Sequence, residues 1–258
     1  MTKSNTPDTS PSTNPHPVPS DDPGAVRINK YISSSGFCSR RKADEYIAAG
    51  QVTIDDDVAQ TGSKVYPGQV VRVQGRPVLQ NDDLVYIAFH KPLGITCTTD
   101  KRDPDNVIDY IRYPRRIFPI GRLDKNSSGL LLLTNDGDIV NRLLRAEGRH
   151  DKEYIVTVDK PVDEAFKQKM ENGIPILDTV TLPCKVKLSG PKTFHIVLNQ
   201  GLNRQIRRMC EYLGYRVVKL KRIRILHISL GNLPVGQYRD LTANERKILL
   251  DLLHSEKN

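Results

Sequence analysis

The stretch Gly121–Gly137 reads GRLDKNSSGLLLLTNDG. Its second half, Leu130 to Leu133, is a short and wholly apolar run closed by the turn formers Asn135, Asp136 and Gly137. An apolar run of that length between turn signals predicts a strand buried on both faces rather than a surface helix. The first half is a polar loop in which Asp124 stands between Arg122 and Lys125. At the mouth of a buried strand, that spacing gives a half-desolvated carboxylate with a cation on either side. Two readings are open at this point: a structural ion pair or turn acceptor, and a group that does chemistry.

Working outward, Leu84 to Phe89 predicts a strand running into HKPLGITCTT, where Lys91-Pro92 followed by Gly94 marks a strand-to-turn junction. Asp105 to Ile111 predicts a short amphipathic helix and Asp138 to Arg145 another, with Ile139, Val140, Leu143 and Leu144 inward. In KEYIVTV, Lys152–Val158, the alternation puts Tyr154, Val156 and Val158 on one face of a strand. Asp163 to Asn172 reads as a helix closed by Gly173, followed by strands over Thr179–Leu188 and Thr193–Leu198. NRQIRRMCEYLGY is a helix with Ile206, Met209, Cys210 and Leu213 in one apolar stripe and Gly214 as terminator. At about 100° per residue, Arg204, Arg208 and Glu211 project away from that stripe, and Arg207 lies on its flank, best placed to border a cleft. A capping-box signature at Leu241–Glu245 opens a last helix with Ile248, Leu249, Leu252 and Leu253 inward.

Charge narrows the class of partner. The 258 residues carry 39 Lys and Arg against 30 Asp and Glu. Between Arg204 and Arg224 lie eight cations (Arg204, Arg207, Arg208, Arg216, Lys219, Lys221, Arg222 and Arg224) against one acid, Glu211. Such a local excess is the electrostatic footprint of a polyphosphate partner. No long apolar span or signal-like amino terminus points to a membrane or to secretion. Cys38, Cys97, Cys184 and Cys210 are widely spaced, without CxxC or Cys/His ligand patterns, so neither a zinc site nor a disulfide framework is expected and the compartment reads as cytoplasmic. His90, His195 and His227 sit in apolar or strand-like surroundings and read as packing or surface residues rather than ligands.

The amino-terminal third has a different composition. Residues 1–24 hold Pro7, Pro11, Pro15, Pro17, Pro19 and Pro23 among Ser, Thr and Asn, a composition that cannot offset its ordering entropy. From Val26, Ile28, Tyr31 and Ile32 recur at helical spacing before Gly36, and Ser39 caps a second helix, SRRKADEYIAAG, closed by Gly50. Arg40, Arg41 and Lys42 occupy its first turn, where the helix dipole disfavours cations, so a phosphate partner is a natural reason for them. A strand over Gln51–Ile54, a turn at Asp55–Asp57 and a strand over Val70–Val73 follow.

Two resemblances attach to these words. NKYISSSGFCSRRKADEYIAAGQV resembles the S4-like RNA-binding module, over about Val26 to Val78. GRLDKNSSGLLLLTNDG, KEY and QGLNRQIRRMCEYLGY resemble pseudouridine synthases of the branch that modifies bacterial ribosomal RNA, and within it the F type of the 23S enzymes. The resemblance implies an α+β fold, with an S4-like domain at residues 25–80 and a catalytic domain at 81–258 whose mixed, mainly antiparallel sheet surrounds a central cleft. It implies Asp124 as the essential nucleophile, Tyr154 against the flipped uracil, and a basic partner for Asp124 at Arg207, with Arg208 as second choice. Arg122 would take the place vacated by the base, and Arg27, Lys30, Arg40, Arg41, Lys42, Arg204 and Arg208 would contact RNA. No cofactor or metal is implied. The expected partner is ribosomal RNA, with transfer RNA as a further substrate, and the expected state a monomer. One departure stands out: relatives commonly turn the S4 hairpin on Asn-Gly, whereas this chain has Asp55, Asp56 and Asp57, which must face away from any RNA surface.

Overall fold

The computed structural model describes residues 24–80, 83–144 and 150–255. The proline-rich tail up to Pro23, part of the linker after Gln80, and Arg145 of the expected fourth helix lie outside the described residues, as does the side chain of Leu144. The chain divides into two compact units, Met1–Leu79 and Gln80–Asn258.

The amino-terminal unit runs β1 (Val26–Arg27), α1 (Ile28–Ser34), α2 (Arg40–Ala48), β2 (Val52–Ile54), β3 (Asp57–Val58), β4 (Lys64–Val65), β5 (Val71–Val73) and β6 (Arg76–Pro77). Ser39 caps α2 as expected, its hydroxyl accepting the Lys42 N–H at 3.1 Å. Ile28 and Ile32 of α1 and Ala43 and Ile47 of α2 pack on Val52, Val71 and Val73 of the four-stranded sheet β3-β2-β5-β6. Two of the three acids of the hairpin serve the turn itself, and Asp57 opens β3. Asp55 and Asp56 take left-handed backbone angles, φ 48° and 76°, which Asp tolerates better than most side chains. The Asp55 carboxylate accepts the Val70 N–H at 2.8 Å, and Asp56 pairs with Arg72 at 3.1 Å.

In the second unit β7 (Tyr86–Lys91), α3 (Val107–Ile111), β8 (Phe118–Ile120), β9 (Ser128–Thr134) and α4 (Gly137–Leu144) come first. β10 (Lys152–Val158), α5 (Glu164–Glu171), β11 (Pro175–Ile176), β12 (Thr179–Val180), β13 (Lys185–Gly190) and β14 (Thr193–Leu198) follow, then α6 (Gln205–Tyr212), β15 (Val217–Ile225), β16 (Ile228–Ser229), β17 (Tyr238–Asp240) and α7 (Ala243–Ser255). Nine strands form one mixed sheet in the order β13-β14-β10-β15-β9-β7-β17, with β16 on β15 and β8 on β9. All its ladders are antiparallel except β9 with β15.

The apolar run of β9 is buried on both faces, as its composition predicts. Leu130 and Leu132 join Tyr86 and Ala88 under α4 and α7, while Leu131 and Leu133 join Ile87 and Phe89 on the other face with Val107 of α3. The far half of the sheet is covered on one face only. There Val156, Val158, Phe194 and Ile196 pack under α5 and α6, and the opposite face carries exposed Lys185, Lys187 and Lys219.

Two expectations need correction. Thr179–Leu188 is not one strand: β12 closes a hairpin on β11, and β13 starts only at Lys185, because Pro183 cannot donate to a ladder. In α7 the buried positions are Leu249 and Leu253, with Leu250 packed beside them, whereas Leu252 is 41% exposed. The capping box that opens this helix is present in both directions, Thr242 Oγ1 accepting the Glu245 N–H at 3.1 Å and Glu245 Oε2 accepting the Thr242 N–H at 2.9 Å.

The parallel junction of β9 and β15 constrains the fold at one atom. Gly129, at φ +112°, lies so close to β15 that a Cβ there would sit 2.1 Å from the Arg222 carbonyl oxygen. Gly129→Ala is therefore expected to destabilise the protein by more than about 3 kcal/mol or to prevent soluble expression, as judged by denaturant unfolding. Gly137→Ala, at the start of α4 with open space around it, is the control and is expected to be neutral or slightly stabilising.

Candidate active site

The loop between β8 and β9 carries Asp124 at the edge of a cavity of about 360 Å³ lined among others by Gly121, Arg122, Tyr154, Arg204, Arg207 and Arg222. The loop turns on the Ser127 N–H, which bonds the Asp124 carbonyl at 3.0 Å. It is held from three sides. Lys91, fully buried at the end of β7, donates its ammonium to the carbonyls of Pro92 at 2.7 Å, Ile95 at 2.8 Å and Lys125 at 3.5 Å. Arg207 of α6 donates Nη2 to Asn126 O at 2.6 Å and to Ser127 Oγ at 3.1 Å. Arg222 of β15 donates Nε to Leu130 O at 2.7 Å and Nη1 to Arg122 O at 3.4 Å. Burial pulls the Lys91 ammonium down to about 8, with Cys97 and Asp124 opposing and Arg222 reinforcing the fall.

The cations expected beside Asp124 from its sequence neighbours are elsewhere. Lys125 pairs with Asp105 at 2.8 Å, and Arg122 is exposed on the cavity rim. The Asp124 carboxylate, one-third exposed, instead has Arg207 Nε and Arg204 Nη1 each at 3.7 Å from Oδ2. Arg207 was the residue expected from the flank of its helix. Arg204 was not: the helical projection turned it away from the cleft, but it precedes α6 in a left-handed conformation, φ 51° and ψ 32°, which brings its guanidinium to the acid. Burial first and Arg204 second pull the Arg207 pKa below its ordinary value, while Asp124 acts in the opposite sense. Arg208 folds back on its own loop, donating to Asn203 O at 3.0 Å and Asn203 Oδ1 at 3.3 Å.

Tyr154 stands on the cavity side of β10, half-buried, opposite Arg222 on the neighbouring strand, with the Arg222 guanidinium carbon 6.0 Å from its ring centre. Asp124, Tyr154, Arg207, Arg122 and Arg204 are thus brought together. Arg27, Lys30, Arg40, Arg41 and Lys42 belong to the amino-terminal unit, where Arg27, Arg40, Arg41 and Lys42 are exposed and Lys30 is half-buried. Lys42 also pairs with Glu45 at 2.6 Å and lies over the Tyr46 ring.

Arg222 was not expected at the site, and Lys91 only as part of a strand-to-turn junction, although each left a signal. Lys91 ends a strand that is buried along its whole length and apolar from Ile87 to Phe89, and Arg222 is two residues from Leu220 on the inward period of β15. A cation at an inward position needs buried acceptors, and such acceptors cluster at sites. Among the described residues no group of three or more His, Cys, Asp or Glu side chains converges as metal ligands would. No helix among them is long and apolar enough to cross a membrane.

Residues 85–212 match the family described as RNA pseudouridylate synthase, and residues 26–71 match the S4 domain. Over 236 residues, 91% of this chain and 80% of the relative, the sequence is 53% identical to the dual-specificity RNA pseudouridine synthase RluF of Escherichia coli (strain K12). The chain belongs to the RNA pseudouridylate synthase family. This synthase is also 37% identical to the ribosomal large subunit pseudouridine synthase B of Bacillus subtilis (strain 168), over 90% of this chain and 98% of that one. A crystal structure of a pseudouridylate synthase superposes with a TM-score of 0.64 at 26% identity, covering 87% of this chain and 99% of the other. The α+β architecture with an S4 domain and a mixed, mainly antiparallel sheet is that of the family, and the enzyme is an RNA pseudouridine synthase.

The support beneath the loop of the synthase has a pH signature. Lys91 has an ordinary pKa of 10.5 when unfolded and about 8 when folded, so between these values the unfolded chain binds more protons and the stability due to this group rises with pH. Lys91→Met removes that gain together with three donated hydrogen bonds. Denaturant titration is expected to place the variant below the parent by about 2 kcal/mol or more at about pH 7, and by about 1–2 kcal/mol more at about pH 9.5. A deficit that shrank on raising the pH would contradict the burial argument.

Proposed function

We propose that this synthase converts one uridine of 23S ribosomal RNA to pseudouridine, with Asp124 as nucleophile, Tyr154 as proton acceptor and Arg207 as the cation that orients Asp124. The observation that carries this reading is the single carboxylate at the cavity edge, one-third exposed, with two guanidinium groups at 3.7 Å. Ribosomal RNA is favoured as substrate by the basic surface of the chain and by its likeness to a ribosomal large-subunit enzyme. The dual specificity of the E. coli relative favours a second RNA substrate, a transfer RNA stem-loop.

The steps balance without an external reactant. A base held in paired or folded RNA is out of reach, so the nucleotide flips into the cavity, at an unstacking cost of a few kcal/mol. Arg122, exposed on the rim, fills the place it leaves. The bond from ribose C1′ to N1 breaks with its electron pair going to the base. Asp124 either captures C1′ as an ester or drives loss of a proton to a glycal. The base turns and C5 joins C1′, expelling the Asp124 carboxylate from the ester or, on the other route, adding to the glycal as C2′ regains its proton; Tyr154 then removes the C5 proton, and N1 gains one. Residues 25–80 act as the RNA-docking domain and 81–258 as the catalytic domain, in a cytoplasmic monomer that needs no metal or cofactor. Arg27, Lys30, Arg40, Arg41, Lys42 and Arg208 serve as phosphate contacts that position the RNA without reading its sequence.

The test treats ribosomal RNA from cells lacking the protein with the purified enzyme and maps pseudouridine by carbodiimide-dependent primer-extension stops. One new stop is expected with the parent and none with Asp124→Ala. Tyr154→Phe is expected to lower the rate about 10²- to 10⁴-fold and Arg207→Met about 10²- to 10³-fold with RNA binding retained. Tight binding by parent and Asp124→Ala alike, with no stop on ribosomal or transfer RNA, would instead favour a non-catalytic assembly factor.

A further inference from the structure

Arg222 is 4% exposed, and its Nη2 is buried with no hydrogen-bond partner, although Nε and Nη1 are committed to Leu130 O and Arg122 O. It makes no ion pair among the described residues. The cations nearer the rim differ: Arg204 and Arg207 both face Asp124, and Arg122 is exposed. A guanidinium taken out of water keeps its charge, and carbonyl oxygens offset only part of the loss of hydration. A buried, positively charged donor on the wall of a cavity therefore calls for an acceptor from the ligand, and one able to carry negative charge.

We infer that Arg222 Nη2 donates to a carbonyl oxygen of the target uracil, O2 or O4, and holds the negative charge that the detached base carries after its bond to C1′ has broken. This rests on the pseudouridine synthase reading of the same cavity. Geometry favours the base over a phosphate. Arg222 lines the cavity beside Tyr154, with its guanidinium carbon 6.0 Å from the ring centre, so a flat base lying against that ring brings a carbonyl edge within reach of the guanidinium. Phosphates stay with the sugar at the rim, where Arg122 and Arg204 are the more exposed cations.

The chemistry gives the contact a role in discrimination as well as in rate. In the ground state Nη2 meets a neutral carbonyl. When the electron pair of the glycosidic bond passes to the base, charge spreads onto O2 and O4, and the same hydrogen bond becomes charge-assisted on both sides. If O4 is the acceptor, cytosine, which presents an amino group there, leaves Nη2 facing a donor and is excluded.

Arg222 also ties the loop through Leu130 O and Arg122 O, so a simple loss of activity on its removal would not separate contact from scaffold. The deciding experiment is a double-mutant cycle between the side chain and the base. Single-turnover rates are measured for RNA carrying uridine, 2-thiouridine or 4-thiouridine at the mapped target, with the parent, Arg222→Met and Arg222→Lys. Sulfur is the poorer acceptor, so one thio substitution is expected to slow the parent about tenfold or more and Arg222→Met less than about twofold beyond its own deficit. Arg222→Lys, which keeps the charge, is expected to retain part of the coupling and guards against a Met variant that fails to fold. Equal thio effects in the parent and in every folded variant would overturn the contact and leave Arg222 as scaffold. A parent enzyme that forms no pseudouridine on plain RNA would overturn the underlying functional reading instead.

Discussion

The site depends on an unusual division of hydrogen bonds. Three cations drawn from separate parts of the sheet and its helices, Lys91, Arg207 and Arg222, are satisfied chiefly by backbone carbonyls of one loop and its flanks rather than by carboxylates. Carbonyls fix the geometry of a buried cation without neutralising it. The loop is thereby held from below by β7, from one side by α6 and from the other by β15, and its one carboxylate at the cavity remains open to Arg204, Arg207 and a ligand. Were these cations paired with buried acids, Asp124 would be one charge among several.

That arrangement requires β15 to approach β9 at the point where the loop enters the sheet. The parallel contact is only two residues long, Lys221 with Ser128 and Arg222 with Gly129. Such a short ladder contributes little hydrogen bonding of its own. Its consequence is positional: it sets Arg222 beneath the loop and, through the antiparallel pairing of β15 with β10, sets Tyr154 opposite it. Gly129 is the residue that permits the approach, so the glycine in the middle of GRLDKNSSGLLLLTNDG and Arg222 of LKRIRI are two halves of one requirement.

Local sequence carried the elements whose period is long enough to read. β9, β10, β14, α2, α5 and α6 were legible from apolar alternation, helical stripes and caps, and so was the flank position of Arg207. What escaped were features fixed by tertiary contact. β16 and β17 are two and three residues of mixed composition, too short to show a period. Spacing alone offered Arg122 and Lys125 as the cations beside Asp124, yet Arg204 and Arg207 come from about eighty residues away, because a loop tip points its adjacent side chains apart. Arg204 was placed by a helical wheel that does not apply one residue before the helix, where the backbone is left-handed. The family resemblance named the chemistry at Asp124, Tyr154 and Arg207, and no local rule could have joined them.

The cavity cations form a gradient of exposure, and the gradient orders what each can do. Arg222 is nearly fully buried, the Arg207 side chain is 14% exposed, Arg204 is 48% exposed, and Arg122 faces solvent, while Lys91, fully buried, lies behind the loop and outside the cavity lining. Electrostatic interactions strengthen as water is excluded, so the innermost charges act strongly over short distances, and the outermost are screened within about 8 Å at physiological salt. A polyphosphate chain needs the second kind, many weak and exposed contacts that tolerate sliding until register is found. A base losing its ribose needs the first, one fixed donor that requires no reorganisation when charge appears. Under the proposed reading, capture of the RNA and stabilisation of the detached base are carried by different arginines of one cavity wall, separated by their depth rather than by their chemistry.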